Sequence, residues 1–173
     1  FTYTVTNEAD IPTIVEVRGQ AVGTTVTVKG KVAAKLKNTI SVQDETGGIA
    51  VRPTSLNVNV GDEVILTGKL ADFKGLLQLD SAAVIENVTG GEGPNAKVVA
   101  IGDINEKLES QLVTVKNTTL SIDSSGSGWI NYRAVDEQGN TILIRDETGQ
   151  LESLRTDGNY ESITGIVQQY DND

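Results

Sequence analysis

The sequence predicts an all-β protein made of two tandem copies of one small five-stranded barrel. Three observations lead to this prediction: short segments alternate between apolar and polar residues, turn-forming residues separate them, and short motifs recur in the second half of the chain. The 173 residues include 18 glycines and 38% hydrophobic residues. No apolar run approaches the roughly 20 residues that a membrane-spanning helix needs. We therefore expect a globular protein with no membrane partner.

The internal repeat consists of short motifs that recur in the same order. Val26–Lys29 recurs as Val113–Lys116, and Thr67-Gly68 recurs as Thr164-Gly165. The spacing between matching motifs grows along the chain and never shrinks, which indicates collinear copies with insertions in the second. The matches, from first to last, are Val26–Lys29 with Val113–Lys116, Asp44-Glu45 with Asp136-Glu137, Val51-Arg52 with Ile144-Arg145, and Thr67-Gly68 with Thr164-Gly165. Two insertions are predicted, one at 123–129 and one between Arg145 and Gly158.

The first copy has the pattern of five strands. In the first strand, Val26, Val28 and Val32 alternate with threonine and lysine, and Gly30 stands where a barrel strand bends sharply. Five short strands with a long first one, in about 60 residues, are typical of an OB-type Greek-key barrel. The remaining strands are predicted at Thr39–Gln43, Ile49–Arg52, Glu63–Ala71 and Leu76–Ile85.

A short helix is predicted before each barrel. The first spans Thr13–Arg18, after Pro12, and the second spans Lys107–Ser110, after the capping-box-like Asp103–Glu106. The glycine-rich stretch between the copies has the composition of a linker. The predicted organisation is a first OB-type domain at 1–89, a linker at 90–97 and a second OB-type domain at 98–173.

The second barrel is predicted to lack its last strand. The sequence stops at Asp173, where the turn before the fifth strand of the first copy would have its equivalent. An open barrel exposes unpaired backbone groups and invites another strand. Phe1–Val5 alternates as a strand should and is one candidate to fill this gap. A further stretch of chain beyond Asp173 is the alternative.

The residue types present exclude several kinds of site. Cysteine, histidine and methionine are all absent. Disulfides, Cys/His zinc sites and histidine acid–base catalysis are therefore excluded, and we expect neither an enzyme nor a bound cofactor. The absence of cysteine favours an exported protein. Three acidic pairs stand close to glycine in predicted turns, where solvated carboxylates are the ordinary interpretation and calcium ligands the alternative: Asp44/Glu45, Asp136/Glu137 and Asp146/Glu147.

The charge is distributed unevenly between the copies. The net charge is −10. Residues 1–89 carry eight basic and ten acidic side chains, a balance of −2, and residues 90–173 carry six and fourteen, a balance of −8. Binding to polyanions relies on a basic surface. The basic surface that nucleic-acid binding requires is thus expected on the first copy and not on the second.

The best nucleic-acid signal is a row of lysines on the first strand. An unbroken strand places Lys29, Lys31, Lys35 and Lys37 on one face, although a bulge at Gly30 would remove Lys29 from it. Solvated lysines on the wet face of a strand are the alternative interpretation. Exposed aromatic side chains near the binding loops would stack on bases. The predicted nucleic-acid-binding residues are Lys29, Lys31, Lys35, Lys37, Arg52, Phe73, Lys74, Trp129 and Tyr132.

Three segments of the first copy resemble a known group of modules. They are Thr13–Arg18, Val22–Gly30 and the Val42–Ile49 hairpin, and together with their second-copy counterparts they look like the tandem OB-fold accessory domains of secreted or cell-wall-anchored bacterial nucleases and phosphoesterases. The resemblance implies an extracellular or cell-surface location. It also implies a covalently linked catalytic domain of the endonuclease/exonuclease/phosphatase or nucleotidase type.

The predicted function follows from these residues and this resemblance. The chain is expected to be a non-catalytic OB-fold module of an exported nuclease-like enzyme that assists the binding of single-stranded nucleic acid. A structural spacer is the alternative favoured by the acidic second copy. A module that binds protein or carbohydrate is a further alternative, because OB loops also hold oligosaccharides.

Overall fold

The computed structural model describes residues 10–147 and 159–170. Strands dominate this part of the chain, which confirms the all-β prediction. No helix within the described residues is long and apolar enough to cross a membrane. The elements are α1 (Ile14–Arg18), β1 (Thr25–Lys35), β2 (Ile40–Gln43), β3 (Gly48–Val51), β4 (Glu63–Phe73), β5 (Leu76–Val88), β6 (Lys97–Val98), β7 (Leu112–Gly126), β8 (Trp129–Val135), β9 (Thr141–Asp146) and β10 (Asn159–Ile166), with 3-10 turns at Ile101–Asp103 and Glu106–Leu108.

The chain divides into two compact units that are not simply consecutive. Among the described residues, the first unit holds 10–94, and the second holds most of the residues after 94. Two later segments, Leu108–Gln111 and residues 168–170, belong to the first unit. The candidates at Phe1–Val5, in the insertion after Glu147 and at 171–173 lie outside the described residues.

Strands β1–β5 of the first unit close into a barrel. The order around it is β1-β2-β3-β5-β4, and β4 pairs with β1 to complete the circle. Every neighbouring pair is antiparallel except β3 and β5, which run parallel. The apolar side chains of alternate positions fill the interior. The fully buried members include Val28, Val32, Ile40, Val42, Ile49, Leu66, Leu70 and Leu79.

Helix α1 is held at one end of this barrel by both its side chains and its cap. Ile14 and Val17 are buried in the barrel core. Thr13 is the N-cap: its side chain accepts a hydrogen bond from the Glu16 amide, and Glu16 reaches back to the Thr13 amide. This capping box explains why a segment rich in β-branched residues forms a helical turn here.

The predicted second helix is not formed. The stretch contains the two 3-10 turns instead, and Ser110 adopts a left-handed φ of 61°. The Asn105 side chain accepts a hydrogen bond from the Lys107 amide at 3.0 Å, a local bond that competes with helical pairing. The left-handed Ser110 then ends any right-handed helical path.

The second unit is a sheet in which β10, β7, β8 and β9 follow one another, with β6 paired to β7. Its strands β7 and β10 pair as β1 and β4 do. Val113 lies opposite Gly165, as Val26 lies opposite Gly68. The insertion at 123–129 lengthens the β7–β8 hairpin and is not a loose loop. Whether this sheet lacks a closing strand stays a prediction, because residues 148–158 lie outside the described part.

Candidate functional site

The predicted row of four lysines is not formed. Lys29 and Lys31 lie on the outer face of β1, but a bulge at Ala33 interrupts the pairing with β2. The extra residue reverses the inward–outward alternation, so Lys35 leaves the face that Lys29 and Lys31 share. Lys37 follows the end of the strand. The bulge therefore lies at Ala33, three residues after the position considered at Gly30. It leaves Lys29 on the shared outer face and removes Lys35 from it.

Lys35 is bonded to the chain at the end of the barrel. Its Nζ donates to the carbonyl oxygen of Val58 at 2.9 Å. The pKa of nearby Asp62 is lowered mainly by the hydrogen bond that its carboxylate accepts from the Asn59 amide, and the charge of Lys35 adds to this effect. Lys35 therefore bonds to the loop that contains Val58, away from the face that Lys29 and Lys31 share.

The two lysines that share the outer face are close to a carboxylate. The Nζ of Lys29 lies 3.0 Å from Oε1 of Glu63, and Lys31 is the direct cross-strand partner of the same Glu63. The Nζ of Lys31 also donates to the Glu92 carbonyl at 3.5 Å. Paired charges of this kind leave a weak positive field for a phosphate backbone.

Two exposed aromatic side chains of the described first unit lie at the tip of the β4–β5 hairpin: Phe73 belongs to the hairpin, and Tyr170 belongs to the later segment that contacts it. Phe73 is 47% exposed and Tyr170 is 59% exposed. Between them, Lys74 donates from Nζ to the Tyr170 hydroxyl at 2.6 Å, with the same Nζ 4.2 Å from the ring centroid. Lys74 has a left-handed φ of 55° at the turn. Arg52 is exposed beyond the end of β3.

The two predicted aromatic residues of the second unit differ in exposure. Tyr132 is 2% exposed and belongs to the hydrophobic core of that unit, so its prediction as a base-stacking residue is wrong. Trp129 is half-buried: its indole lies against Gly126, and the guanidinium of Arg145 sits 4.5 Å from the ring centroid. A planar ring with a cation over it has one face already occupied.

The outer face of β2 and β3 is covered by the chain itself. The Ser41 hydroxyl on β2 donates to the carbonyl oxygen of Ser110 at 2.6 Å. A Cβ at Gly48, the first residue of β3, would collide with that same carbonyl group. Ser41 and Ser110 are buried. The segment Leu108–Gln111 thus packs directly on this part of the barrel.

Glu109 anchors this segment in a charged pocket. Its side chain is 2% exposed, and its Oε1 lies 2.9 Å from Nη2 of Arg18, which is 14% exposed. The same oxygen accepts a hydrogen bond from the Leu77 amide at 3.2 Å. The Nη1 of Arg18 donates to the Gly48 carbonyl at 3.1 Å. A buried carboxylate requires such partners, because an unpaired charge would be strongly destabilising.

The second later segment lies along the barrel's loops. The Gln168 side-chain amide donates to the Thr39 hydroxyl, in the β1–β2 loop, at 2.9 Å. The Gln169 side chain lies against Gly75, in the β4–β5 turn. Sequence reasoning missed both segments. The only sequence signal was Glu109 between Leu108 and a polar stretch, and a lone glutamate there is ordinarily interpreted as solvated.

The first acidic turn is a structural clamp. Asp44 accepts hydrogen bonds from the amides of Ile14, Thr46 and Gly47 and from the Thr46 hydroxyl, at 2.6–2.9 Å. Partial burial raises the pKa of Asp44, but these bonds outweigh it and hold the pKa below its ordinary value of 3.8. The carboxylate therefore joins helix α1 to the β2–β3 turn.

The other acidic turns have local partners as well. The side-chain amide of Asn140 is the main cause that lowers the pKa of Asp136 in the β8–β9 turn, and the Gln138 and Asn140 backbone amides add to it. Glu147 pairs with Arg145 at 2.8 Å. Within residues 10–147 and 159–170, no group of three or more acidic, histidine or cysteine residues is placed to hold a metal ion.

We expect Asp44→Asn to remove a pH-dependent part of the stability. Because the folded pKa lies below the unfolded one, the Asp44 contribution is complete above the ordinary value of 3.8 and is lost as the pH falls through the folded value. Thermal melts at neutral pH should show the variant destabilised by about 1 kcal/mol, and the difference should shrink as the pH falls below that ordinary value. Glu45→Gln is the control. An undiminished gap at low pH would contradict the clamp.

The comparisons with known proteins add little to this geometry. No family model matches the chain, and no curated protein matches it. A solved structure described as that of the hypothetical protein ygiW from E. coli is similar over 46% of this chain and 88% of its own, at 19% identity and a TM-score of 0.38. This likeness is too distant to support any statement about function.

Proposed function

We propose that this chain is a non-catalytic, OB-type module with a structural role, which holds and presents an attached domain. The strand order of the first barrel supports the OB assignment: β1 pairs with both β2 and β4, and β3 pairs in parallel with β5. The repeated register of β7 and β10 supports an OB-type origin for the second unit.

One observation supports the structural role above the others: the face that an OB module uses for ligands is occupied. OB modules bind oligonucleotides and oligosaccharides on the β2–β3 face and the loops beside it. In this protein Ser110 lies on Ser41 and Gly48, and Gln168 and Gln169 lie on the loops. A nucleic-acid strand would have to displace both segments, including a buried ion pair.

The charge distribution supports the same proposal. Glu63 lies beside the two outward lysines of β1, and the chain carries a net charge of −10. Counterion release depends on lysine and arginine side chains that neutralise phosphates, and Glu63 competes with phosphate for these lysines. The resemblance to accessory domains of exported nucleases supports an attached catalytic domain and an extracellular location as part of the proposal.

The proposal is tested with a labelled single-stranded oligonucleotide. We expect no change in fluorescence anisotropy at low salt, because the ligand face is filled and Lys29 is paired with Glu63. A Lys29→Glu, Lys31→Glu variant should then give the same flat titration as the unaltered chain. Binding that weakens with salt and is abolished in that variant would overturn the structural role.

A second candidate function is supported by the β4–β5 tip. Phe73 offers an exposed ring for base stacking, and the neighbouring Lys74, whose Nζ lies over the Tyr170 ring, supplies a cation for phosphate. If this tip binds nucleic acid, Phe73→Ala should weaken binding by roughly fivefold or more, since stacking contributes about 1–3 kcal/mol per base. Val60→Ala, an exposed apolar residue outside the tip, is the matched control.

A further inference from the structure

The glycine-rich stretch that follows β5 lies against the first barrel. The chain leaves β5 at Val88, and residues 90–93 then run back along the loop that precedes β4. We call residues 90–93 the strap. They belong to the first unit, and they form the start of the segment that leads to β6 at Lys97.

Two glycines allow the main chains of the strap and the loop to meet. Gly61 has a left-handed φ of 93°, and a Cβ on it would overlap the carbonyl oxygen of Gly91. A Cβ on Gly91 would in turn lie 2.6 Å from the carbonyl oxygen of Gly61. A side chain on either residue would therefore force the two main chains apart.

A buried carboxylate of the barrel holds the first residue of the strap. Asp62 is 2% exposed, and its Oδ2 accepts hydrogen bonds from the Asn59 amide at 2.8 Å and the Asn87 side-chain amide at 3.1 Å. The Gly90 amide of the strap donates to the same carboxylate. Because a buried carboxylate needs its donors, this bond ties the strap to the barrel.

Little else fixes the strap in place. Residues 90–93 are all exposed, and the buried core of the described first unit includes none of them. The Nζ of Lys31 reaches the Glu92 carbonyl oxygen only at 3.5 Å. Segments with few buried apolar contacts open locally, at a lower free energy than the unfolding of the whole domain.

We propose that the strap opens and closes on the first barrel as one piece, with the Asp62 carboxylate as its latch, and that opening exposes the chain to proteolysis after Glu92. When the strap is closed, only residues 94–96 separate it from β6. When it is open, residues 89–96 form one free stretch, which can extend to about 28 Å, compared with about 10 Å for three residues. Proteases cleave such opened stretches, so cleavage follows the population of the open strap.

The test compares two glycine-to-alanine changes within the strap. Gly91→Ala places a methyl group against the Gly61 carbonyl and should displace the strap, whereas Gly93→Ala adds only an ordinary contact, 3.4 Å from Val60 Cγ1. Hydrogen exchange of the Gly90 amide, followed by NMR, measures the opening, since neither change alters this residue or the one before it. We expect exchange at least about tenfold faster in Gly91→Ala, because a hydrogen bond to a charged group is lost. Gly93→Ala should stay within about threefold of the unaltered chain.

A second variant tests the latch and the cleavage. Asp62→Asn removes the charge and leaves the strap sequence intact, so a glutamate-specific protease should cut it faster after Glu92, in proportion to its faster Gly90 exchange. Amides of β1 should remain as slow as in the unaltered chain in every variant, because the barrel stays folded. Exchange in Gly91→Ala equal to that in the unaltered chain would overturn the proposal. So would an increase that extends to the β1 amides, since the barrel and not the strap would then be opening.

This inference goes beyond the proposed structural role and does not depend on it. The strap contacts the loop before β4, whereas the structural role rests on the filled β2–β3 face. Oligonucleotide binding would overturn the structural role alone, and unchanged Gly90 exchange in Gly91→Ala would overturn the strap alone.

Discussion

Replacing Glu109 with alanine should lower the free energy of unfolding by about 3 kcal/mol. The change leaves the Arg18 guanidinium without its carboxylate and the Leu77 amide without its acceptor in a site almost closed to solvent. Breaking a buried ion pair by removing one partner typically costs about 3–5 kcal/mol. The lower figure applies because Arg18 retains its bond to the Gly48 carbonyl. Urea unfolding followed by circular dichroism measures the effect.

Two variants separate the ion pair from general damage to the segment. Glu109→Gln keeps the acceptor for Leu77 and loses the charge, so its loss of stability should be smaller than that of alanine. Glu106→Ala changes an exposed glutamate of the preceding 3-10 turn and should shift the unfolding free energy by less than about 0.5 kcal/mol. Equal stability of Glu109→Ala and Glu106→Ala would show that the segment is not docked in solution.

Leu66→Ala should lower the free energy of unfolding by about 3–4 kcal/mol. Leu66 lies on the inner side of β4, opposite Val28, and is fully buried in the barrel. Its truncation removes apolar burial and leaves a cavity that a closed barrel collapses around poorly. Chemical unfolding should show a lower midpoint with an unchanged slope.

Two control variants test whether the loss of stability comes from the cavity. One conserves the side-chain volume at position 66, and the other shortens an exposed side chain. Leu66→Met conserves volume and should cost less than about 1.5 kcal/mol. Val60→Ala removes an exposed methyl pair and should be close to neutral. If Leu66→Ala lowered the free energy of unfolding as little as Val60→Ala does, this would contradict a closed barrel with a filled interior.

The barrel was predictable because its signals are local. Alternation of Val26, Val28 and Val32 with polar residues fixes which face of β1 is inward, and the strand bounds agree with the structure within a few residues. The bulge at Ala33 was not predictable. Ala33 and Ala34 are both small and fit either face, so nothing in the sequence marks the point at which the alternation reverses.

The contents of the candidate site were less predictable because they depend on distant pairings. From the sequence, Tyr132 resembles an exposed residue that stacks on bases. In the structure its side chain lies in the hydrophobic core of the second unit. Glu109 carries a charge that ordinarily remains in water, and its burial is explained by Arg18, 91 residues earlier, together with the Leu77 amide. No pattern of composition or periodicity relates two such residues.

The return of Leu108–Gln111 and residues 168–170 to the first unit has a consequence for biosynthesis. All five barrel strands have emerged once Val88 leaves the ribosome, but Glu109, the partner of Arg18, emerges 21 residues later. At roughly 5–20 residues per second, the Arg18 guanidinium lacks its Glu109 partner for seconds, and during that time the outer face of β2 and β3 is uncovered. Thr39 in the β1–β2 loop lacks its hydrogen bond from Gln168 for longer still, until Gln168 has emerged. The first unit therefore reaches its complete packing only after both of these later segments have emerged.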